Sequence, residues 1–222
     1  MNIDNIIVNI SIWAIPVILA VVLHEVAHGW VAEKFGDDTA RWMGRLTLNP
    51  LKHVDPIGTI LIPVGLIVIG SPFIFGYAKP VPVNFRKLRN PKRDMVWVAL
   101  AGPVTNILLA IASTALLCLA MQLPDSAAWV AQPLALMCQA SILINVVLCI
   151  FNLIPLPPLD GGRVAVGLLP AAAAYQLSRI EPYGFIIIVL LLVSGFFQNT
   201  IGPLIMGSAR WLIELAMGVQ IP

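Results

Sequence analysis

The sequence predicts an all-α polytopic membrane protein of about four to six transmembrane helices with a re-entrant β/loop segment. Three observations lead there. Of the 222 residues, 59% are hydrophobic and only 11% are charged, whereas soluble domains carry roughly 25% charged residues. The mean hydropathy is +0.92. The apolar stretches are continuous runs and lack the alternation of a barrel strand. A net charge of +2 gives no reason to expect a nucleic-acid partner. The expected surroundings are a lipid bilayer.

Four segments read as spans, because each offers about 20 apolar residues, enough to cross roughly 30 Å of hydrocarbon. They cover about residues 6–32, 95–121, 129–153 and 183–205. The first is no cleavable signal, since it lacks a basic n-region and a small-residue cleavage site. Residues 164–178 read as one short interfacial helix. The tail from Ser208, with Arg210, Trp211 and Glu214, reads as an amphipathic helix at the opposite surface. Cys118, Cys138 and Cys149 lie in apolar segments without C-x-x-C pairing and read as small buried hydrophobes. No internal repeat interrupts this plan, so residues 1–222 are expected to form a single membrane-embedded domain.

A fifth apolar stretch, 57–76, contains Gly58, Pro63, Gly65, Gly70, Pro72 and Gly76, which argues against a plain helix throughout. Lys34, Arg41, Arg45 and Lys52 precede it; Lys79, Arg86, Lys87, Arg89, Lys92 and Arg93 follow. Cytoplasmic loops carry the excess of Lys and Arg. Both flanks are therefore placed on the cytoplasmic side, and the stretch reads as re-entrant. The same rule puts the N-terminus outside, the 122–128 turn outside, and Arg163 and Arg179 inside. The basic run 86–93 is expected to lie on anionic headgroups. His53 reads as a loop histidine satisfied by a neighbouring carboxylate, with Asp55 close by.

The chemistry is concentrated in His24-Glu25-Val26-Ala27-His28, near the cytoplasmic end of the first span. Ionisable groups inside a span are costly and mark function by default. Residues four apart share one helix face, so His24 and His28 can hold one Zn²⁺ through two imidazoles. Glu25 is offset around the helix, able to reach a water but not the metal. H-E-x-x-H on a helix is the pattern of a zinc protease. A catalytic zinc takes three protein ligands, and the best third candidate is Asp160. It follows Asn152-Leu153-Ile154-Pro155-Leu156-Pro157-Pro158-Leu159, where the prolines must end the third span. Gly161 and Gly162 then permit a sharp turn. Read without the histidines, Asp160 is equally a helix-capping residue. Asn106 and Asn152 are amides within spans, able to bind substrate backbone or an oxyanion, or to hydrogen-bond between helices. Asn145 takes the latter reading.

Three motifs in this order, H-E-x-x-H, A-G-P-x-x-N from Ala101 to Asn106, and N-x-x-P-x-P-x-L-D-G-G from Asn152 to Gly162 (with an additional Pro158), resemble the site-2 protease family of intramembrane zinc metalloproteases. They cover a catalytic core of about residues 6–165. The stretch from Leu48 to Thr59 is similar to the compact bacterial and archaeal branch of the family, without PDZ or CBS domains. The resemblance implies one Zn²⁺ at His24, His28 and Asp160, with Glu25 activating water. It implies regulated intramembrane proteolysis, with membrane-protein substrates cut in or near a transmembrane helix that unwinds locally, in a multi-pass protein of a prokaryotic cell (inner) membrane. The family's re-entrant hairpin would fall in the 40–90 region, where 77–85 could hold an extended substrate by β-addition. The alternatives are a zinc-binding membrane transporter, which tends to carry internal repeats and ionisable residues along its path, or a non-proteolytic membrane adaptor.

Overall fold

The structure, a computed structural model, describes residues 3–68 and 76–218. Among these residues three helices are long and apolar enough to cross a membrane, α1 (Ile3–Lys34), α4 (Pro91–Met121) and α5 (Ala128–Asn152). Shorter helices complete the fold: α2 (Thr39–Trp42), α3 (Ile62–Val68), α6 (Asp160–Leu168), α7 (Ala171–Ser178), α8 (Glu181–Val193) and α9 (Gly202–Ala216). The helices α7 and α8 bend by 64° and count together as at most one further span. The chain is an all-α, multi-pass membrane protein, and the described residues give three spans, or four if the bent pair is one, against the four to six expected.

The central helix is α4, which packs against α1, α5, α6 and α9. Lipid tails are as apolar as leucine, so helices in a membrane associate by close packing and interhelical hydrogen bonds. Small residues allow that approach: Ala110, Cys138, Ala209 and Ala216 surround buried Leu117 and Ile142 in one core cluster. Outward-facing Ile15, Ile18, Leu19, Leu108 and Ile111 stay exposed, a face suited to lipid. A second cluster of Ala32, Leu88 and Val98 fixes the end of α1 to the start of α4. Asn90 precedes α4, and the buried Asp94 carboxylate accepts the Asn90 N–H at 2.8 Å, while the Asn90 side chain makes no cap of its own.

Several elements differ from the sequence expectation. The fourth span breaks, because Gly195 adopts φ +77°, a left-handed turn that glycine takes without a Cβ penalty. A π-helical turn, Phe197–Ile201, then leads into α9. The tail is no separate surface helix: α9 lays Ala209 and Ala216 against α4 and α5. The expected helix over 164–178 is two helices, with Pro170 between α6 and α7. Within the fifth apolar stretch, Pro56–Leu61 is a π-helical turn running into α3, and no β-strand occurs among the described residues. Residues 69–75 of that stretch lie outside the described residues.

On the basic side, two segments are stitched together. Fully buried Asp37 accepts the Asn84 N–H at 2.6 Å and the Thr39 N–H at 3.1 Å. The Arg89 N–H donates to the Phe35 carbonyl, and Lys87 pairs with Asp38 at 2.9 Å. The Lys87 ammonium and the Trp42 indole hold the Asp38 carboxyl below its ordinary range. Buried His53 faces the Thr47 carbonyl at 2.9 Å through Nε2 rather than Asp55, whose carboxylate instead caps Ile57 and Gly58.

Candidate metal centre

The two histidines of α1 point at α4, one turn apart on the same face. Each imidazole is oriented through its outer nitrogen. His24 Nδ1 lies 2.6 Å from Asn106 Oδ1, and His28 Nδ1 lies 2.7 Å from the Val98 carbonyl. Both partners are acceptors, so both Nδ1 atoms carry the proton and both Nε2 lone pairs face inward. The third side chain arrives from the far end of α5. That helix stops at Asn152, the proline-rich loop follows, and Asp160 opens α6. No side-chain cap is made there; the Asp160 carboxylate is aimed at the imidazoles instead.

The glycines behind Asp160 serve space rather than a turn. Neither Gly161 nor Gly162 has a positive φ. A Cβ on Gly161 would collide with the Leu153 carbonyl, and one on Gly162 with the Pro157 nitrogen. Their absence of side chain lets the first turn of α6 press on the loop backbone and carries Asp160 inward. The α4 side uses the same device. A Cβ on Gly102 would stand 2.5 Å from His28 Nε2 and 2.6 Å from His24 Nε2.

Three donor atoms converge. His24 Nε2 and His28 Nε2 are 3.1 Å apart, and Asp160 Oδ2 lies 3.2 and 3.3 Å from them. Ligands held about 2.0–2.1 Å from a tetrahedral zinc stand roughly 3.3 Å apart, so the triangle matches. Oδ2 is buried without a hydrogen-bond donor. Two imidazole lone pairs and a carboxylate oxygen at this separation repel one another unless a cation sits among them. The residues therefore fit zinc in ligand type, separation and orphaned charge. Among the described residues this is the one cluster of three such side chains.

The cluster lines a cavity of about 300 Å³ together with Glu25, Pro80, Val81, Asn152 and Arg163. Glu25 Oε2 accepts the Val81 N–H at 2.7 Å. Asn152 lines the cavity and donates to the Leu148 carbonyl at 2.9 Å. Asn106 does not line it: it is fully buried beneath His24 and donates at 2.8 Å to Asn145 Oδ1. Asn145 donates in turn to the Ser141 carbonyl at 2.8 Å, and Ser113 to Ser141 Oγ at 2.7 Å. Asn145 thus bonds between helices, and Asn106 sits beneath His24, outside the cavity lining, with its oxygen on that imidazole. Asn106→Ala is expected to weaken zinc affinity about 10–100-fold, the usual cost of an outer partner, measured by chelator competition.

Two cavity residues make contacts that the sequence does not mark. Arg163 served there only as a topology marker, yet it lines the cavity, with its guanidinium 5.1 Å from the centre of the Phe85 ring and 3.7 Å from Glu181. Its position three residues after Asp160, one helical turn along, was the available signal. Val81 lies within the 77–85 stretch expected to meet substrate, but nothing local marks its amide for Glu25, 56 residues away.

The sequence pattern of Peptidase family M50 matches residues 12–127 and 119–195, which include the whole cavity lining. The chain belongs to Peptidase family M50. This M50 chain is 40% identical over 210 residues to "Putative zinc metalloprotease YwhC" of Bacillus subtilis (strain 168), covering 94% of this chain and 92% of that protein. It is 29% identical over 198 residues to "Putative zinc metalloprotease Rip2" of Mycolicibacterium smegmatis, covering 89% and 68%. A Mycobacterium tuberculosis (strain ATCC 25618 / H37Rv) protein of the same name is 26% identical over 199 residues, covering 90% and 71%. No solved structure matches. The M50 membership agrees with the site-2 protease resemblance and favours neither the transporter nor the adaptor.

Proposed function

We propose that the chain hydrolyses peptide bonds in or near transmembrane segments of other membrane proteins, as one metalloprotease domain over residues 1–222 with a catalytic core of about 6–165. His24, His28 and Asp160 hold the zinc. Bound there, zinc supplies Lewis acidity, polarising the scissile carbonyl and making water acidic enough to ionise near neutral pH. Glu25 does the proton work: its carboxylate takes a proton from the attacking water and returns it to the leaving amine. Asn152 and Arg163 face the same cavity and hold substrate backbone. The substrate is a membrane protein whose helix unwinds to enter, and the N-terminus of the protease lies outside.

The observation that carries this reading is the meeting of three donor atoms with a carboxylate, Glu25, that is not one of them, in one cavity. A structural zinc site is closed by four protein ligands, whereas three leave the fourth position open to water. The test is purified protein in detergent with a panel of single-span membrane proteins. Cleavage is expected with one zinc per chain, lost on chelation and restored by added zinc. A protein that binds zinc and cuts none of the panel with or without it would speak for a binding role instead.

A further inference from the structure

Residues 80–83 line the cavity beside Glu25 within a strap running from Lys79 to Asn84, and their composition is unusual. Pro80 and Pro82 have no N–H, so within Pro80-Val81-Pro82 the Val81 amide is the single backbone donor. That donor is spent on Glu25 Oε2, at 2.7 Å. Lys79 and Val81 each precede a proline, which biases both to extended backbone. The strap is thus stiff before any tertiary contact forms.

It is also held at both ends. Buried Arg45 donates through Nη2 to the carbonyls of Lys79 (2.8 Å) and Pro80 (3.3 Å). The Lys79 N–H donates to the His53 carbonyl at 2.9 Å, and the Asn84 N–H to Asp37. Val81 itself is buried against Gly29 of α1, where a Cβ would come within 2.7 Å of Val81 Cγ1. Gly29 is four residues beyond Glu25 on that helix, so strap and carboxylate are set against the same face.

From this we infer that the Val81 amide is a positioning group for Glu25, resting on the proteolytic reading above. A glutamate has three rotatable torsions and could turn away from the donor triangle. One fixed amide on Oε2 holds the carboxylate in place and leaves Oε1 to receive the proton from water. A misplacement of a reacting group by about 1 Å costs on the order of 100-fold. Arg45, distant from the chemistry, acts through the strap.

The test compares Val81→Pro, which removes the N–H and keeps apolar bulk, with Val81→Ala, which keeps the N–H and loses bulk. Both are assayed for kcat, KM and zinc content on a single-span substrate cut by the wild type. Val81→Pro is expected to have a kcat at least ten-fold below Val81→Ala, with KM and zinc content alike in the two. Equal kcat values, a higher KM alone (substrate pairing with the strap), or a higher kcat (an inhibitory strap) would each overturn the inference. Should Val81→Pro fail to fold, an ester in place of the Val81 amide makes the same comparison. Hydrogen exchange supplies a readout without activity: Glu25→Ala should speed exchange of the Val81 amide at least ten-fold and leave the Lys79 amide unchanged. If the wild type cuts nothing, the proteolytic reading fails. If the wild type cuts and the two Val81 variants match, only the positioning role does.

Discussion

Gly102→Ala is expected to abolish zinc binding in a protein that still folds. The added methyl group would stand 2.5–2.6 Å from ring atoms of both His24 and His28, far inside van der Waals contact. Relief requires turning the imidazoles, which breaks their bonds to Asn106 and the Val98 carbonyl, or parting α1 from α4. Either way the donor triangle is lost, so affinity should fall by more than the roughly 10–100-fold that removal of one outer partner costs. At a helix position with room for a methyl group the same substitution is mild, since alanine is a better helix former than glycine. Chelator competition gives the affinity, and circular dichroism gives the fold. Wild-type zinc affinity in Gly102→Ala would contradict the packing described.

Glu25→Gln is the second large effect, and it separates chemistry from metal binding. The amide keeps an oxygen able to accept the Val81 N–H, and Glu25 is not one of the three convergent donors. Zinc content should therefore match wild type. Proton transfer is lost, and positioned general acid–base groups contribute about 10²–10⁴-fold. A fall in kcat of roughly 10³-fold, about 4 kcal/mol in barrier, is expected with KM little changed. A variant that lost zinc as well would place Glu25 among the ligands.

The site was legible in sequence to the extent that it is local. His24, Glu25 and His28 declare themselves by helical spacing inside an apolar run, and Asp160 by the prolines that end α5 before it. What sequence could not give is contact across long separations. Nothing in A-G-P-x-x-N says that Gly102 clears room for two imidazoles or that Asn106 turns its oxygen to His24 Nδ1, 82 residues away. The same blindness hid the bond from the Val81 amide to Glu25, although 77–85 was expected at the site. Fold errors have equally particular causes. The apolar run 183–205 conceals a turn that needs only one residue, Gly195, with positive φ. Pro170, by contrast, was visible, and the single helix expected over 164–178 underrated it. The tail was misjudged because Arg210 and Glu214, paired on one face of α9, suggested a surface helix while Ala209 and Ala216 were packing inward.

A zinc protease of the membrane is defined by where, and by what, a peptide bond is broken. The decisive measurement is mass-spectrometric mapping of the products from a single-span substrate in vesicles holding the protein, in ¹⁸O-labelled water, with zinc assayed on the same preparation. The expected result is a cut within or at the end of the span, ¹⁸O in the new carboxyl terminus, one zinc per chain, and product from Glu25→Gln at a rate roughly 10³-fold lower. The same product at undiminished rate from Glu25→Gln, or from a His24→Ala variant shown to be free of zinc, would contradict it.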